Sequence, residues 1–201
     1  MQKKRKAWKV ALLVFGIVII LVIGGVASMI FFGVGKFENI EPKIVTLDKP
    51  IYAVGMGTKV NLKTVFKDIP KVGTDYKRYK DKNGIPNKVE PWSFVAMSKD
   101  YNEIEKTWDY AMGDVVNDFS TVPDGLTKIE IPAGKYAVFP IRPKNKFVWG
   151  FTISKMKEYV MQTWFPKSQY EATGMDFEFH DERSLQKKPE IDLYFALKDK
   201  K

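Results

Sequence analysis

Cysteine is absent from this chain, and histidine occurs once, as His180. The first absence excludes disulfides, thiolate catalysis and cysteine metal sites. A single imidazole leaves too little for a histidine-based metal centre. No acidic residue occurs before Phe37, although Lys3, Lys4, Arg5, Lys6, Lys9 and Lys36 lie there. The net charge of +9 is therefore mostly an N-terminal property, and beyond Lys36 the 24 acidic residues nearly balance the basic ones. That distribution fits membrane topology, and no nucleic-acid partner is expected. There is no phosphate-binding glycine loop and no dinucleotide fingerprint, so no cofactor is expected. Ser154, Ser168 and Ser184 lack a nucleophile-elbow context, and one histidine does not make a triad.

What is present begins with a long apolar run. After the basic segment 1–9, Val10–Gly35 runs 26 residues without a charge. About 20 apolar residues suffice to cross a bilayer, so this stretch is long enough to span with some tilt. A cleaved signal peptide shares the basic start, and Gly25-Val26-Ala27 offers small residues for cleavage. The apolar run nevertheless continues through Met29-Ile30-Phe31-Phe32, too long for an ordinary signal sequence. A core helix with no polar face does not suit so small a protein. A retained transmembrane helix over 10–35 is the favoured reading. The positive-inside rule then puts the N-terminus in the cytoplasm and the remainder outside the cell membrane. Residues 36–43 read as a linker and 44–198 as one soluble domain, with apolar content of 45% enough to build a core.

The domain is organised around Ile129–Phe139, IEIPAGKYAVF, two strand-like pieces about a Pro-Ala-Gly bend. A weaker copy lies 84 positions earlier, where Tyr52-Ala53-Val54 of LDKPIYAVG aligns with Tyr136-Ala137-Val138. Such a duplication implies one pseudo-symmetric domain. In the first half, Ile44–Gly55 reads as a strand broken at Pro50. Thr58 reads as the cap of a short helix carrying Leu62, Val65, Phe66 and Ile69 and ending before Pro70. Val72–Lys88 reads as an exposed polar loop, and Trp92–Met97 and Trp108–Val116 as strands. In the second half, Trp149, Ile153, Met156, Val160 and Trp164 share one helical face, and Pro166 stops that helix. Ser168–Gly174 reads as a loop, and Met175–His180 and Glu190–Leu197 as the closing strands. Each half is thus β-α-β-β, and together they predict an α+β domain: an antiparallel sheet with two helices on one face.

These residues resemble a family. Ile131-Pro-Ala-Gly-Lys-Tyr-Ala-Val-Phe139, Trp164-Phe-Pro-Lys-Ser168, Asp176-Phe-Glu-Phe179 and Ile191-Asp-Leu-Tyr-Phe195 are similar to elements of the GyrI-like small-molecule-binding domain. That domain is the effector-binding part of AraC-type and multidrug-responsive bacterial regulators. In the first half, Ile69-Pro70, Ile85-Pro86-Asn87 and Tyr110-Ala-Met-Gly113 fall where the family has similar elements. The resemblance covers roughly 43–198. It implies a ligand cleft between the two helices, lined by aromatics and floored by a glutamate that maps onto Glu178. The family pattern ends in a tyrosine where this chain has His180, which puts any role of that tyrosine in doubt here.

Read from the residues alone, Glu178 alternates with Phe177 and Phe179 and is a solvated strand carboxylate facing away from them. Among aromatics such a carboxylate is desolvated, and a cationic ligand relieves that cost. Trp92, Phe94, Trp108, Tyr110, Trp149 and Tyr194 are the candidate lining residues, although large aromatics also dominate any core of this size. His180, beside Asp181 and Glu182, reads as a surface residue. The expectation is a membrane-anchored module that binds or senses a small amphipathic or cationic organic molecule. The alternatives are a hydrolase using Glu178, and a protein-interaction domain of the gyrase-inhibitor type.

Overall fold

A computed structural model describes residues 37, 39–143 and 148–200. The membrane span expected over 10–35 lies outside them; among the described residues no helix is long and apolar enough to cross a membrane. The strands are β1 (Lys43–Leu47), β2 (Ile51–Asn61), β3 (Phe94–Asn102), β4 (Thr107–Val116), β5 (Thr127–Ile131), β6 (Gly134–Ile141), β7 (Tyr170–His180) and β8 (Ile191–Asp199). The helices are α1 (Val65–Asn83) and α2 (Trp149–Tyr159). From α2 the chain continues through a π-helical turn, Val160–Trp164, and one last helical turn, Phe165–Lys167.

All strand pairs are antiparallel, in the order β1-β6-β8-β7-β3-β4-β2-β5. The order is symmetric about the β7–β3 seam, as a duplicated unit requires. Each half also contributes an edge strand to the other: β1 pairs with β6, and β5 with β2. This exchange dictates the curvature. In a flat sheet β1 and β2 would lie six strand spacings apart, about 29 Å, yet only Asp48, Lys49 and Pro50 join them. Four Cα steps reach about 14 Å at most. β5 and β6, likewise six spacings apart in a flat sheet, are joined only by Pro132 and Ala133. The sheet therefore curls until its two ends meet. Consistent with that, one core cluster gathers Ile129 and Ile131 from β5, Val45 and Leu47 from β1, and Val95 and Phe177 from the middle of the sheet. Gly55 faces Gly113 across β2–β4, and a Cβ on Gly113 would stand 2.3 Å from the Val54 carbonyl oxygen. The two backbones approach too closely there for any side chain.

Both helices pack on the outer face. Val72 and Tyr76 of α1 lie against Val54, Val60, Ala96, Tyr110 and Val116. Ile153 and Met156 of α2, with Val160, Trp164 and Phe165, lie against Phe139, Ile141, Leu193 and Phe195. Burying each of these large apolar side chains contributes about 1.5–3 kcal/mol. Trp164 and Phe165, adjacent in sequence, are both 7% exposed. The widened π turn preceding Phe165 lets two consecutive residues reach the core. Phe37 and Ile40, in the expected linker, also pack against this cluster.

Four local expectations are corrected. The strand expected over Ile44–Gly55 is two strands that part at Asp48–Pro50. Thr58 caps no helix: Thr58 to Asn61 pair with Tyr110 to Thr107, so the β2–β4 ladder claims them. The helix expected to end before Pro70 runs through it to Asn83, replacing most of the loop expected over 72–88. Its burial rests on few residues, and its polar face is held by the i,i+4 pairs Lys71–Asp75 and Lys77–Asp81. Finally, the expected loop Ser168–Gly174 already belongs to β7 from Tyr170, with an irregularity between Ala172 and Asp176.

Candidate functional site

The alternation of β7 decides where Glu178 points. Phe177 and Phe179 join the core inside the curled sheet, so Asp176, Glu178 and His180 face the helices. Across the seam Glu178 pairs with Ala96, His180 with Phe94, and Asp176 with Ser98. The seam lies between the territories of α1 and α2, and Phe66 and Phe151 meet across it with ring centroids 6.4 Å apart.

Glu178 is a shielded carboxylate, with its side chain 16% exposed and that of His180 15% exposed. Glu178 Oε2 lies 3.2 Å from His180 Nε2. Among the described residues no lysine or arginine reaches Glu178 within 4 Å. The imidazole stacks on Trp149, with centroids 5.7 Å apart and planes at 11°, and meets Phe94 edge-on at 5.6 Å. Phe94 lies in turn beside Trp92 at 6.4 Å and Tyr76 at 6.1 Å.

Two charged groups support these rings. Asp114, fully buried, accepts from Trp92 Nε1 at 2.6 Å, from the Tyr76 hydroxyl at 2.6 Å and from the Lys80 ammonium at 2.8 Å. The Trp92 indole is thereby fixed in orientation. Lys157, from α2, pairs with Asp176. Apart from that ammonium, Asp176 Oδ1 has no hydrogen-bond partner. Burial pushes the Asp176 carboxyl above its usual range, and Lys157 partly offsets this. Burial works to lower the Lys157 pKa, but the charges of Asp176 and Glu178 overcome it and hold the ammonium protonated. The Tyr110 phenol is held well above its ordinary value, first by burial and then by Glu178 and Asp176. The site can therefore present a carboxylate, an adjacent imidazole and a neutral phenol among flat aromatic faces.

Of the residues expected from the sequence, Glu178, Phe94, Trp92 and Trp149 come together, and Tyr110 lies buried on the same face. Trp108 is farther along that face, beside Val60 and Tyr101. Tyr194 is on the other side of the sheet, stacked on Phe177 at 4.5 Å. His180, expected at the surface, is central to the cluster: the period of two that turns Glu178 toward the helices turns His180 there too. That signal was present in the sequence. Lys157, Asp114 and Tyr76 had none, because each depends on pairing across the fold. Two open depressions lie elsewhere. One, of about 260 Å³, is bordered by Met56, Asp68, Lys71 and Asp75. The other, of about 650 Å³, is bordered by Met97, Ala111, Phe119 and Lys128, and Tyr110 also contributes to its lining. Among the described residues no group of three or more His, Asp or Glu is placed to hold a metal ion.

Comparison with solved structures finds the same fold. An integron cassette protein from the mobile metagenome of Vibrio cholerae aligns over 80% of this chain and 100% of its own, with a TM-score of 0.56 and 12% identity. The protein SAV2435, solved bound to tetraphenylphosphonium, aligns over 79% and 94%, at 0.61 and 13%. The EcmrR C-terminal domain aligns over 81% and 100%, at 0.56 and 18%. A search of curated proteins gives no match. Residues 43–197 match the family model of the Cass2 integron-associated effector-binding proteins, and this chain belongs to that family.

Proposed function

We propose that the domain is a receptor for a small organic cation with aromatic groups, held between α1 and α2 over Glu178. The observation that carries this reading is a carboxylate 16% exposed, with no lysine or arginine within 4 Å among the described residues, in contact with an imidazole that stacks on Trp149 and meets Phe94. A desolvated carboxylate favours a positive charge brought to it. Each aromatic face adds about 0.5–2 kcal/mol of cation–π attraction. Membership of an effector-binding family supports small-molecule binding, and SAV2435, of the same fold, was solved with an aromatic cation bound. The uncharged stretch Val10–Gly35 anchors the domain to the membrane in this proposal, with the basic segment before it inside the cell and the receptor outside.

Titration of the full chain with tetraphenylphosphonium, read by tryptophan fluorescence, tests the reading. Saturable quenching weakened at least tenfold by Glu178→Gln is the expected result. Saturable quenching that Glu178→Gln leaves unchanged removes Glu178 from the site. A second reading rests on the Glu178–His180 contact at 3.2 Å, a pair able to activate water. Turnover of activated esters that disappears in Glu178→Gln supports this hydrolase, and binding without turnover removes it.

A further inference from the structure

The imidazole of His180 occupies the place that a planar aromatic cation would take. It lies face to face with Trp149, edge-on to Phe94 and within hydrogen-bonding distance of Glu178, the three groups assigned above to the ligand. We infer that His180 is a built-in competitor for the cation site, so that ligand and proton exclude one another. This rests on the receptor reading and names the regulation of that same site. In its protonated form the ring is itself a planar cation paired with Glu178. A ligand must take over both the carboxylate and the Trp149 face, and the imidazolium gives them up by losing its proton.

The other charges around the ring are paired among themselves. On β7, Asp176 is held by Lys157 from α2. Beyond the end of β7, Asp181 is held by Arg183, which also pairs with Glu190 and Asp192. On the β3–β4 side, behind Phe94 and Trp92, Asp114 is held by Lys80 from α1. Lys157 also feels the charge of Glu178, but among the described residues no ammonium or guanidinium lies within 4 Å of that carboxylate, so its close contact is the one that changes when His180 gains or loses a proton. An imidazole ordinarily titrates between pH 5 and 8. Exclusive competition costs a factor of ten in apparent affinity per pH unit below the imidazole's pKa, and by reciprocity the bound ligand lowers that pKa.

The test uses the full chain in non-ionic detergent with tetraphenylphosphonium, whose charge does not change with pH. Wild-type affinity is expected to fall at least fivefold from pH 8 to pH 5.5. His180→Phe, which keeps a ring but no proton, is expected to show less than a twofold change. His180→Ala is expected to bind more tightly than wild type at both pH values. Because the chain has one histidine, the NMR signal of its Cε1 proton reports the imidazole without ambiguity. Its titration midpoint is expected to move down by at least half a pH unit on saturation with ligand. Saturable binding that Glu178→Gln weakens, but that is flat with pH and leaves the midpoint in place, overturns the competition while sparing the receptor. No saturable binding by any variant removes both.

Discussion

Ala96 and Glu178 face each other across the β3–β7 seam, the smallest ordinary side chain opposite a shielded carboxylate. Ala96 is 3% exposed and lies among Val60, Val72 and Tyr110. Ala96→Leu fills the space beside Glu178. It is expected to lower stability by about 1–3 kcal/mol from overpacking and to weaken tetraphenylphosphonium binding at least tenfold. Thermal unfolding and ligand titration on the same sample check both parts.

Asp114→Asn tests how Trp92 is held. The buried carboxylate has three donors, and neutralising it leaves Lys80 with weaker compensation. Lys80 is 32% exposed, so water offsets part of the loss. The expected cost is about 1–3 kcal/mol in urea unfolding, with a shift in tryptophan emission. Unchanged stability would mean that the cluster is not held by charge.

The close approach of β2 and β4 makes a paired prediction from two glycines. Gly113→Ala drives a Cβ against the Val54 backbone and is expected to cost more than about 2 kcal/mol. Gly150, in α2, has open space around its Cβ position. Gly150→Ala is expected to stabilise by about 0.4–1 kcal/mol. Denaturation midpoints of the two variants should move in opposite directions.

Alkaline pH should unfold the domain through its buried phenols. Burial pushes Tyr136 up to about 12 and also raises Tyr76, Tyr110 and Tyr194. In the unfolded chain a tyrosine ionises near 10. The folded state therefore holds these protons more tightly, and its advantage is complete below about pH 10 and lost as pH rises through the folded values. The raised Lys157 acts in the same direction. The urea midpoint should fall steeply between pH 10 and 12, with tyrosinate absorbance rising together with unfolding.

The parts of this fold legible in the sequence were those written in local periodicity. The repeat of Tyr52-Ala-Val at Tyr136-Ala-Val lies on β2 and β6, strands in equivalent positions of the two halves. The stripe Ile153, Met156, Val160 and Trp164 is the buried face of the second helix. The first helix has little apolar periodicity because Val72 and Tyr76 are its only buried residues, while its other positions carry the lysines and aspartates of a solvated helix. The exchange of β1 and β5 was invisible because strand order depends on pairing between distant segments, and a break at Pro50 does not say where the chain goes next. In the site, the period of two places Glu178 and His180 on one face of β7, but their shielding depends on the helices packed over that face. The ion pairs of Lys157 and Asp114 required the fold itself.

A cation receptor built on Glu178 must be selective for charge. The full chain and its Glu178→Gln variant are titrated with tetraphenylphosphonium and with neutral triphenylphosphine oxide. Wild type is expected to prefer the cation by at least tenfold, and Glu178→Gln to lose most of this preference while binding the neutral compound as before. Equal affinity of wild type for the two compounds, or a preference that survives in Glu178→Gln, would contradict a receptor built on Glu178.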